Sequence, residues 1–283
     1  MTPLSSLALS GAGEPLFCSD VHLGEECPEL TEPFLAWLDE ALRSTRTFFI
    51  LGDLFHAWIG DDLLDQEVLY PETVRAARKI CEALKAFTQT GGHGYFLAGN
   101  RDFLMGDRFF AQTGLRPLAE ECLLQFEGRT WLLCHGDHLC VDDKPHQELR
   151  RKLLSLEWQK DFLTQPLSSR ADFASGLREK SRQAKTMKSD AIMDVNPQAC
   201  LQRVRDLNCV GLIHGHTHRP GRYDLAEGLT RWVIPDWQAL PSAEDKNKDG
   251  KAASTYKGGF LRLQSAGPKL TALSYPASLE APQ

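Results

Sequence analysis

LIHGHTHRP, residues 212–220, runs from an apolar stretch of strand type straight into histidines at alternate positions, His214, His216 and His218. On an extended backbone alternate side chains share one face, which predicts three imidazoles along one edge. A hydrophobic core has no use for three rings that each carry a donor and an acceptor, whereas a metal ion needs lone pairs converging on a point. The same form recurs along the chain. LFCSDVH (16–22), FFILGD (48–53), YFLAGNRD (95–102), WLLCHGD (131–137) and VGLIHGHTH (210–218) are each an apolar run ending on residues of ligand type. Between the first three lie helix-like stretches. One is opened by Thr31 and Pro33, with Phe34, Leu35, Leu38 and Leu42 on a face, and another runs from about Pro71 to Phe87. Strand, helix, strand with short loops implies parallel βαβ units and an α/β fold, with binding groups gathered at the carboxyl ends of the strands.

A chain of 283 residues that is 42% hydrophobic and 25% charged buries a full core as one large domain or a domain with an insertion. We expect a single domain over 1–283 with an insertion at about 144–195. Eight cysteines are scattered without a C-x-x-C pair, and Cys18 and Cys134 lie inside apolar runs, so free thiols in a reducing cytoplasm are expected. The opening MTPLSSLALSGAGEP lacks a basic n-region and a long apolar h-region, and no window reaches the roughly 18 apolar residues of a membrane span. The net charge of −6 argues against generic nucleic-acid binding, and no nucleic-acid partner is expected. The charge is uneven, however: from Lys144 to Asp190 eleven Lys/Arg face six Asp/Glu, a segment of +5 set into a body of −11.

From Asp143 the pattern turns helical. DKPHQELRRKLLSLEWQKDFLTQP (143–166) carries Leu149, Leu153, Leu156 and Leu163 at helical spacing until Pro166. A second helix is predicted to open at Ser169, with Asp172 in a capping-box position, and a third at Asn196-Pro197 with Leu201, Val204 and Leu207. The polar segment 241–259 predicts a loop between strands at 231–235 and 260–263.

The candidate ligands at the strand ends are Asp20, His22, Asp53, Asn100, His135, His216 and His218. Oxygen and imidazole donors without thiolate disfavour a structural zinc site and suit Mn²⁺, Fe or catalytic Zn²⁺. Seven donors exceed the needs of one ion and fit two ions about 3.5–4 Å apart that share a carboxylate, the arrangement that clamps an in-line phosphoryl displacement.

Taken in order and spacing, Asp20-x-His22, Gly52-Asp53, GNRD (99–102), HGD (135–137) and GHTH (215–218) resemble the motifs of the calcineurin-like metallophosphoesterases. That resemblance implies a β-sandwich flanked by helices, with a helical lid insertion. It also implies one metal held by Asp20, His22, Asp53 and His218 and a second by Asp53, Asn100, His135 and His216, with Asp53 bridging. His214 falls outside the motif and is given a structural or ligand-orienting role. LGDLFHAWIGDD (51–62), GNRDFLMGDRF (99–109), HGDHLCVDD (135–143), AIMDVN (191–196) and IHGHTHRP (213–220) narrow the likeness to the UDP-2,3-diacylglucosamine diphosphatases of lipid A synthesis, over about 16–263. Those enzymes cleave a pyrophosphate to UMP and 2,3-diacylglucosamine 1-phosphate with Mn²⁺, at the cytoplasmic face of the inner membrane. The resemblance implies substrate contacts at Asn100, Arg101, Asp143, Arg178, Ser181, Lys185, Lys188 and His216, a peripheral inner-membrane location and a monomer.

Where many calcineurin-like phosphatases have a histidine after the asparagine, this chain has Arg101. An alkoxide leaving group needs a proton, but a sugar 1-phosphate leaves as a stable anion and needs only charge neutralisation, which a guanidinium supplies permanently. The expected reaction is attack of metal-activated water on the α-phosphorus, with Asp53, Asn100 and Arg101 in catalytic roles. Asp61, Asp62 and Asp137 are either acids that orient ligating histidines or plain loop acids. The Leu149–Leu163 stripe either packs on the core, receives acyl chains or lies on the bilayer. Two other functions share these motifs: a different calcineurin-like phosphodiesterase or nuclease, and a non-catalytic scaffold. A nuclease should offer a broad basic groove with aromatic platforms, and a scaffold should have lost ligands.

Overall fold

The computed structural model describes residues 4–9, 11, 13–187, 190–240 and 255–276. Among them, thirteen strands form two sheets. One runs in the order β1 (Leu4–Leu9), β6 (Glu121–Phe126), β7 (Arg129–Cys134), β8 (Gly211–His214), β10 (Thr230–Val233) and β9 (Gly221–Asp224). The other runs β11 (Gln238–Leu240), β12 (Thr255–Gln264), β2 (Leu16–Cys18), β3 (Thr47–Leu51), β4 (His93–Leu97) and β5 (Arg116–Pro117), with β13 (Gly267–Pro276) paired to β12. β2, β3, β4 and β5 are mutually parallel, as are β7, β8 and β10, so their carboxyl ends share one end of the sandwich.

Because successive strand residues point to opposite faces, each apolar run splits between two cores. Phe17, Phe49, Leu51, Tyr95 and Leu97 turn inward against Cys122, Leu124, Trp131, Leu133 and Ile213 of the other sheet. Phe17 stacks on Phe49 at 4.7 Å and Phe49 on Tyr95 at 4.8 Å, a ladder across three parallel strands. Their neighbours Leu16, Cys18, Phe48, Ile50 and Phe96 face outward and are covered by α1 (Thr31–Ser44) and α2 (Pro71–Gln89). α3 (Asp107–Thr113) closes that layer through Phe109. On the far side Leu132, Cys134 and Leu212 meet Cys200 and Val204 of α8 (Pro197–Asp206), whose Asn196 caps the Gln198 and Ala199 N–H groups. The result is the expected β-sandwich flanked by helices, with all eight cysteines free.

Between β7 and β8 the chain inserts α4 (Lys144–Leu153), α5 (Leu156–Leu163), α6 (Leu167–Met187) and the short α7 (Asp190–Met193). The single helix predicted for 143–166 is two. Ser155 adopts an extended conformation and its hydroxyl accepts the Trp158 N–H, so it ends one helix and caps the next. The leucine stripe is broken there: Leu156 is 74% exposed, and the buried residue of α5 is Phe162, packed with Trp158 and Phe173, while Trp158 also meets Phe103. α6 begins at Leu167, two residues before the predicted cap, so Ser169 lies inside it. Its anchor is the buried Arg170, which pairs with Asp62 and donates to the Ile59 carbonyl. Of the predicted loop at 241–259, residues 241–254 lie outside the described residues. Residues 255–259 are strand, because β12 pairs with β13 over its whole length.

Candidate metal centre

The five motifs follow the carboxyl ends of β2, β3, β4, β7 and β8, and backbone bonds lace their loops together. The Asp20 N–H donates to the Gly52 carbonyl at 3.1 Å, those of Val21 and His22 to the Asp53 carbonyl at 2.9 and 3.0 Å, and that of Gly215 to the His135 carbonyl at 3.0 Å. Five of the seven candidate ligands sit in the left-handed region: Asp20, His22, Asp53, His216 and His218 have φ between 53° and 65°. Such strain costs on the order of 1 kcal/mol or more per residue and persists where the surroundings impose it. It also corrects the expected row of three imidazoles. β8 ends at His214, and the left-handed turns at His216 and His218 bring those two back over Asp20. His214 stays buried, its Nδ1–H donating to the Gly215 carbonyl and its ring packed against Gly136; burial and the Arg231 charge push its pKa down to about 3, so it is neutral.

The donors converge with lone pairs opposed. The His135 Nδ1–H donates to the Leu51 carbonyl at 2.9 Å, so Nε2 is the nitrogen that faces Asn100 Oδ1, 3.1 Å away, and Asp53 Oδ1, 3.6 Å away, where a metal ion would take the place of its proton. His218 Nδ1 faces Asp236 Oδ2 at 3.3 Å, which leaves its Nε2 3.2 Å from His22 Nε2 and 3.3 Å from Asp20 Oδ1. Donor atoms so arranged repel unless a proton or a metal cation lies between them. Asp20 Oδ1 and His22 Nδ1 are buried without a hydrogen-bond partner. The donor set therefore fits divalent ions. Asp20, His22 and His218 form one group with ligand atoms within 4.8 Å of one another, and Asp20, Asp53 and His135 form another. His22 Nδ1 lies 4.0 Å from Asp53 Oδ2, which links the two. His216 donates its N–H to Asp20 Oδ2 at 2.8 Å, and its ring lies 5.1 Å from that of His135.

The electrostatics follow from this crowding of charge in a buried place. Burial disfavours charge on His135, but the carboxylates of Asp53, Asp20 and Asp137 and the Leu51 carbonyl hold its pKa up at about 9. Burial pushes up Asp53 despite His135 and Arg101. Asp20 is held well below the usual carboxylate range because the neighbouring imidazoles of His218, His135 and His22 outweigh its burial.

Among the substrate contacts implied by the sequence, Arg101 is the best placed. Its N–H donates to Asp53 Oδ1 at 2.9 Å and its Nε lies 3.4 Å from Asp53 Oδ2. Asp143 caps α4 by accepting the His146 N–H, and the His146 ring stacks on His216 at 5.8 Å. Arg178 Nη1 lies 3.5 Å from Glu26 Oε1, and Ser181 is exposed. Only the helical backbone of Lys185 is described, and Lys188 lies outside the described residues. The three loop acids do not orient histidines. Asp61 caps α3 through the Gly106 and Arg108 N–H groups, Asp62 pairs with Arg170, and Asp137 pairs with Arg150 at 2.6 Å.

Four contributors escaped the sequence. Asp236 orients His218, and its signal was present in RWVIPD (231–236), another apolar run ending on an acid. Asp102, within GNRD but given no role, is fully buried and accepts the Gly99 and Leu54 N–H groups at 2.8 Å, tying the β4 and β3 loops together; burial and the Asp53 charge push its pKa to about 7. Asp194 takes Arg231 at 2.9 Å and Arg219 at 3.3 Å, joining the end of the insertion to the loop that carries His218. His146 had no sequence signal, since its partner ring is seventy positions away.

A family model described as calcineurin-like phosphoesterase matches residues 15–220, and the chain belongs to that family. The family implies a dinuclear divalent metal site, for which the groups above are the candidate ligands. Within it, the chain is 46% identical over 211 residues, 75% of this chain and 84% of the relative, to the UDP-2,3-diacylglucosamine hydrolase of Serratia proteamaculans. It is 42% identical to the enzymes so named from Haemophilus ducreyi, over 78% of this chain and 91% of the relative, and Klebsiella pneumoniae, over 79% and 91%. Likeness of this depth and coverage places the protein in the UDP-2,3-diacylglucosamine hydrolase group of the family.

Proposed function

We propose that the protein hydrolyses the pyrophosphate of UDP-2,3-diacylglucosamine to UMP and 2,3-diacylglucosamine 1-phosphate, a step of lipid A synthesis. The convergence of donor atoms from His135, Asn100 and Asp53 and from His218, His22 and Asp20 carries this reading, because it fits divalent cations where five strand ends meet. Asp20, His22, Asp53 and His218 would hold one ion, and Asp53, Asn100, His135 and His216 the other, Mn²⁺ in both. Such a pair acidifies a water and neutralises phosphate oxygens. Around it Asn100 offers its amide to a phosphate oxygen. Arg101 keeps a permanent charge beside the phosphate that departs, and that phosphate requires no proton. Asp143, Arg178, Ser181, Lys185 and Lys188 of the insertion bind the rest of the substrate, with Asp102 and Asp236 as orienting acids.

We place the protein as a monomer at the cytoplasmic face of the inner membrane. No described helix is long and apolar enough to cross a membrane. The exposed Leu156 and Leu163 lie on α5 with the exposed Lys160, and Arg151 and Lys152 are exposed on α4, a combination suited to a bilayer surface with anionic headgroups. Turnover in H₂¹⁸O tests the chemistry. Label in UMP alone is the expected result of attack at the α-phosphorus; label in the lipid phosphate would mean the substrate lies reversed, and no turnover beside rapid cleavage of a general phosphodiester would refute the substrate.

A further inference from the structure

Arg101 is held from a side the catalytic motifs do not contain. Its Nη1 lies 3.3 Å from both ring nitrogens of His56, and His56 Nε2 lies 2.9 Å from Glu26 Oε2. A guanidinium never accepts a hydrogen bond and a carboxylate only accepts, so the neighbours settle the tautomer: Nε2–H donates to Glu26 and Nδ1 accepts from Arg101. Burial and the charges of Arg101, Arg178 and Arg182 push the His56 pKa down to about 3, which keeps the ring neutral and able to accept. The backbone is fixed as well, the His56 N–H donating to the Leu23 carbonyl at 2.8 Å and the Trp58 N–H to the Arg101 carbonyl at 2.8 Å. Glu26 is half exposed, and its other oxygen lies 3.5 Å from Arg178 of α6. A continuous polar chain thus runs from the insertion through Glu26, His56 and Arg101 to Asp53.

We propose that His56 and Glu26 are positioning residues for Arg101, holding its guanidinium at the phosphate subsite with α6 docked on the same carboxylate. This rests on the phosphate role of Arg101 given above. A long, partly exposed arginine has many rotamers, and a charge contact placed about 1 Å away from its oxygen is largely wasted. A bulky apolar residue could fill the space of His56, but only a group with one donor and one acceptor can join a carboxylate to a guanidinium.

The test compares His56→Leu, His56→Gln and Glu26→Gln, alone and combined with Arg101→Ala. It measures kcat and KM for UDP-2,3-diacylglucosamine, bound Mn²⁺ and calorimetric affinity for UMP. His56→Leu should lower kcat roughly 10–100-fold with bound metal unchanged. His56→Gln should recover most of the loss because an amide both donates and accepts. Glu26→Gln should fall the same way by less, and His56→Leu should be silent in the Arg101→Ala background. Wild-type kcat in His56→Leu beside a slow Arg101→Ala would overturn the positioning role alone, as would an undiminished loss in the double variant or a parallel loss of metal. Full turnover in Arg101→Ala itself would remove the phosphate role and this proposal with it. If His56→Leu does not fold, the half-exposed Glu26 carries the same comparison.

Discussion

Gly215, between His214 and His216, packs directly on the loop that carries Ser19 and Asp20, and Gly215→Ala should disable the centre from a residue that offers no ligand. A Cβ at this position would fall 2.8 Å from Ser19 Cβ, and nearer still to Ser19 Oγ and Asp20 Oδ2. Ordinary contact begins at 3.4 Å, so Ser19 Cβ must retreat by about 0.6 Å and the Ser19 hydroxyl and Asp20 carboxylate by more. Neither is free to move. The Ser19 hydroxyl donates to Asp20 Oδ2 at 2.7 Å and lies 2.9 Å from the Leu51 carbonyl, and Asp20 Oδ2 also accepts the His216 N–H at 2.8 Å. Overpacking of this kind costs roughly 1–3 kcal/mol, and a disturbed ligand shell typically lowers metal affinity about 10–100-fold. At about 2–4 °C per kcal/mol, Tm should fall by roughly 3–10 °C. Gly176 on the exposed side of α6 is the control, because a Cβ there meets nothing within 4 Å. Gly176→Ala should raise stability by about 0.5–1 kcal/mol through helix propensity. Thermal unfolding with and without Mn²⁺, together with bound-metal analysis, reads both variants. A Gly215→Ala protein with wild-type Tm and full metal would refute the steric reasoning.

Asp53→Ala should abolish turnover and lower metal content, whereas His214→Gln should leave metal bound and lose little rate; an equal collapse of both in kcat and metal analysis would place His214 among the ligands. Glu121, held below the usual carboxylate range by His138 and Arg203 against the effect of its burial, contributes stability that is complete above the ordinary glutamate pKa and is lost as pH falls through its lowered value. The Tm gap between wild type and Glu121→Gln should therefore be widest near neutrality and close in acid, and a gap that widens in acid would contradict the assignment. Binding to anionic vesicles in a sedimentation assay should be reversed by raising salt, since screening weakens the attraction of the +5 segment; release that requires detergent would contradict a peripheral attachment.

Periodicity made much of this protein legible in one dimension. The apolar runs had to be strands buried on both faces, since Leu16, Phe17 and Cys18 are apolar at every position and split between a helix layer and the opposing sheet. Parallel order followed from the helices between them, and candidate ligands at strand ends followed from parallel order. Local chemistry also marked Asn196-Pro197 as a helix start. The single helix drawn across Ser155 failed because leucine spacing is blind to a serine that can cap as readily as continue.

What the tertiary structure alone decided is direction and pairing. Alternation in HGHTH (214–218) forecast a common face for His214, His216 and His218, yet the left-handed backbone at the last two separates the rings, and the first of these turns is held by Asp20, which accepts the His216 N–H from 196 positions away. Asp61, Asp62 and Asp137 read identically along the chain and became a helix cap, an anchor for the inserted helix α6 and an arginine partner through contacts made with distant elements. The attachment of Arg101 to His56 and Glu26 belongs to the same class. A sequence carries the type and spacing of its side chains, so it determines which elements form and which chemistry they offer. Which lone pair meets which proton depends on how separate loops stack, and that is settled only when the packed sheets bring their ends together.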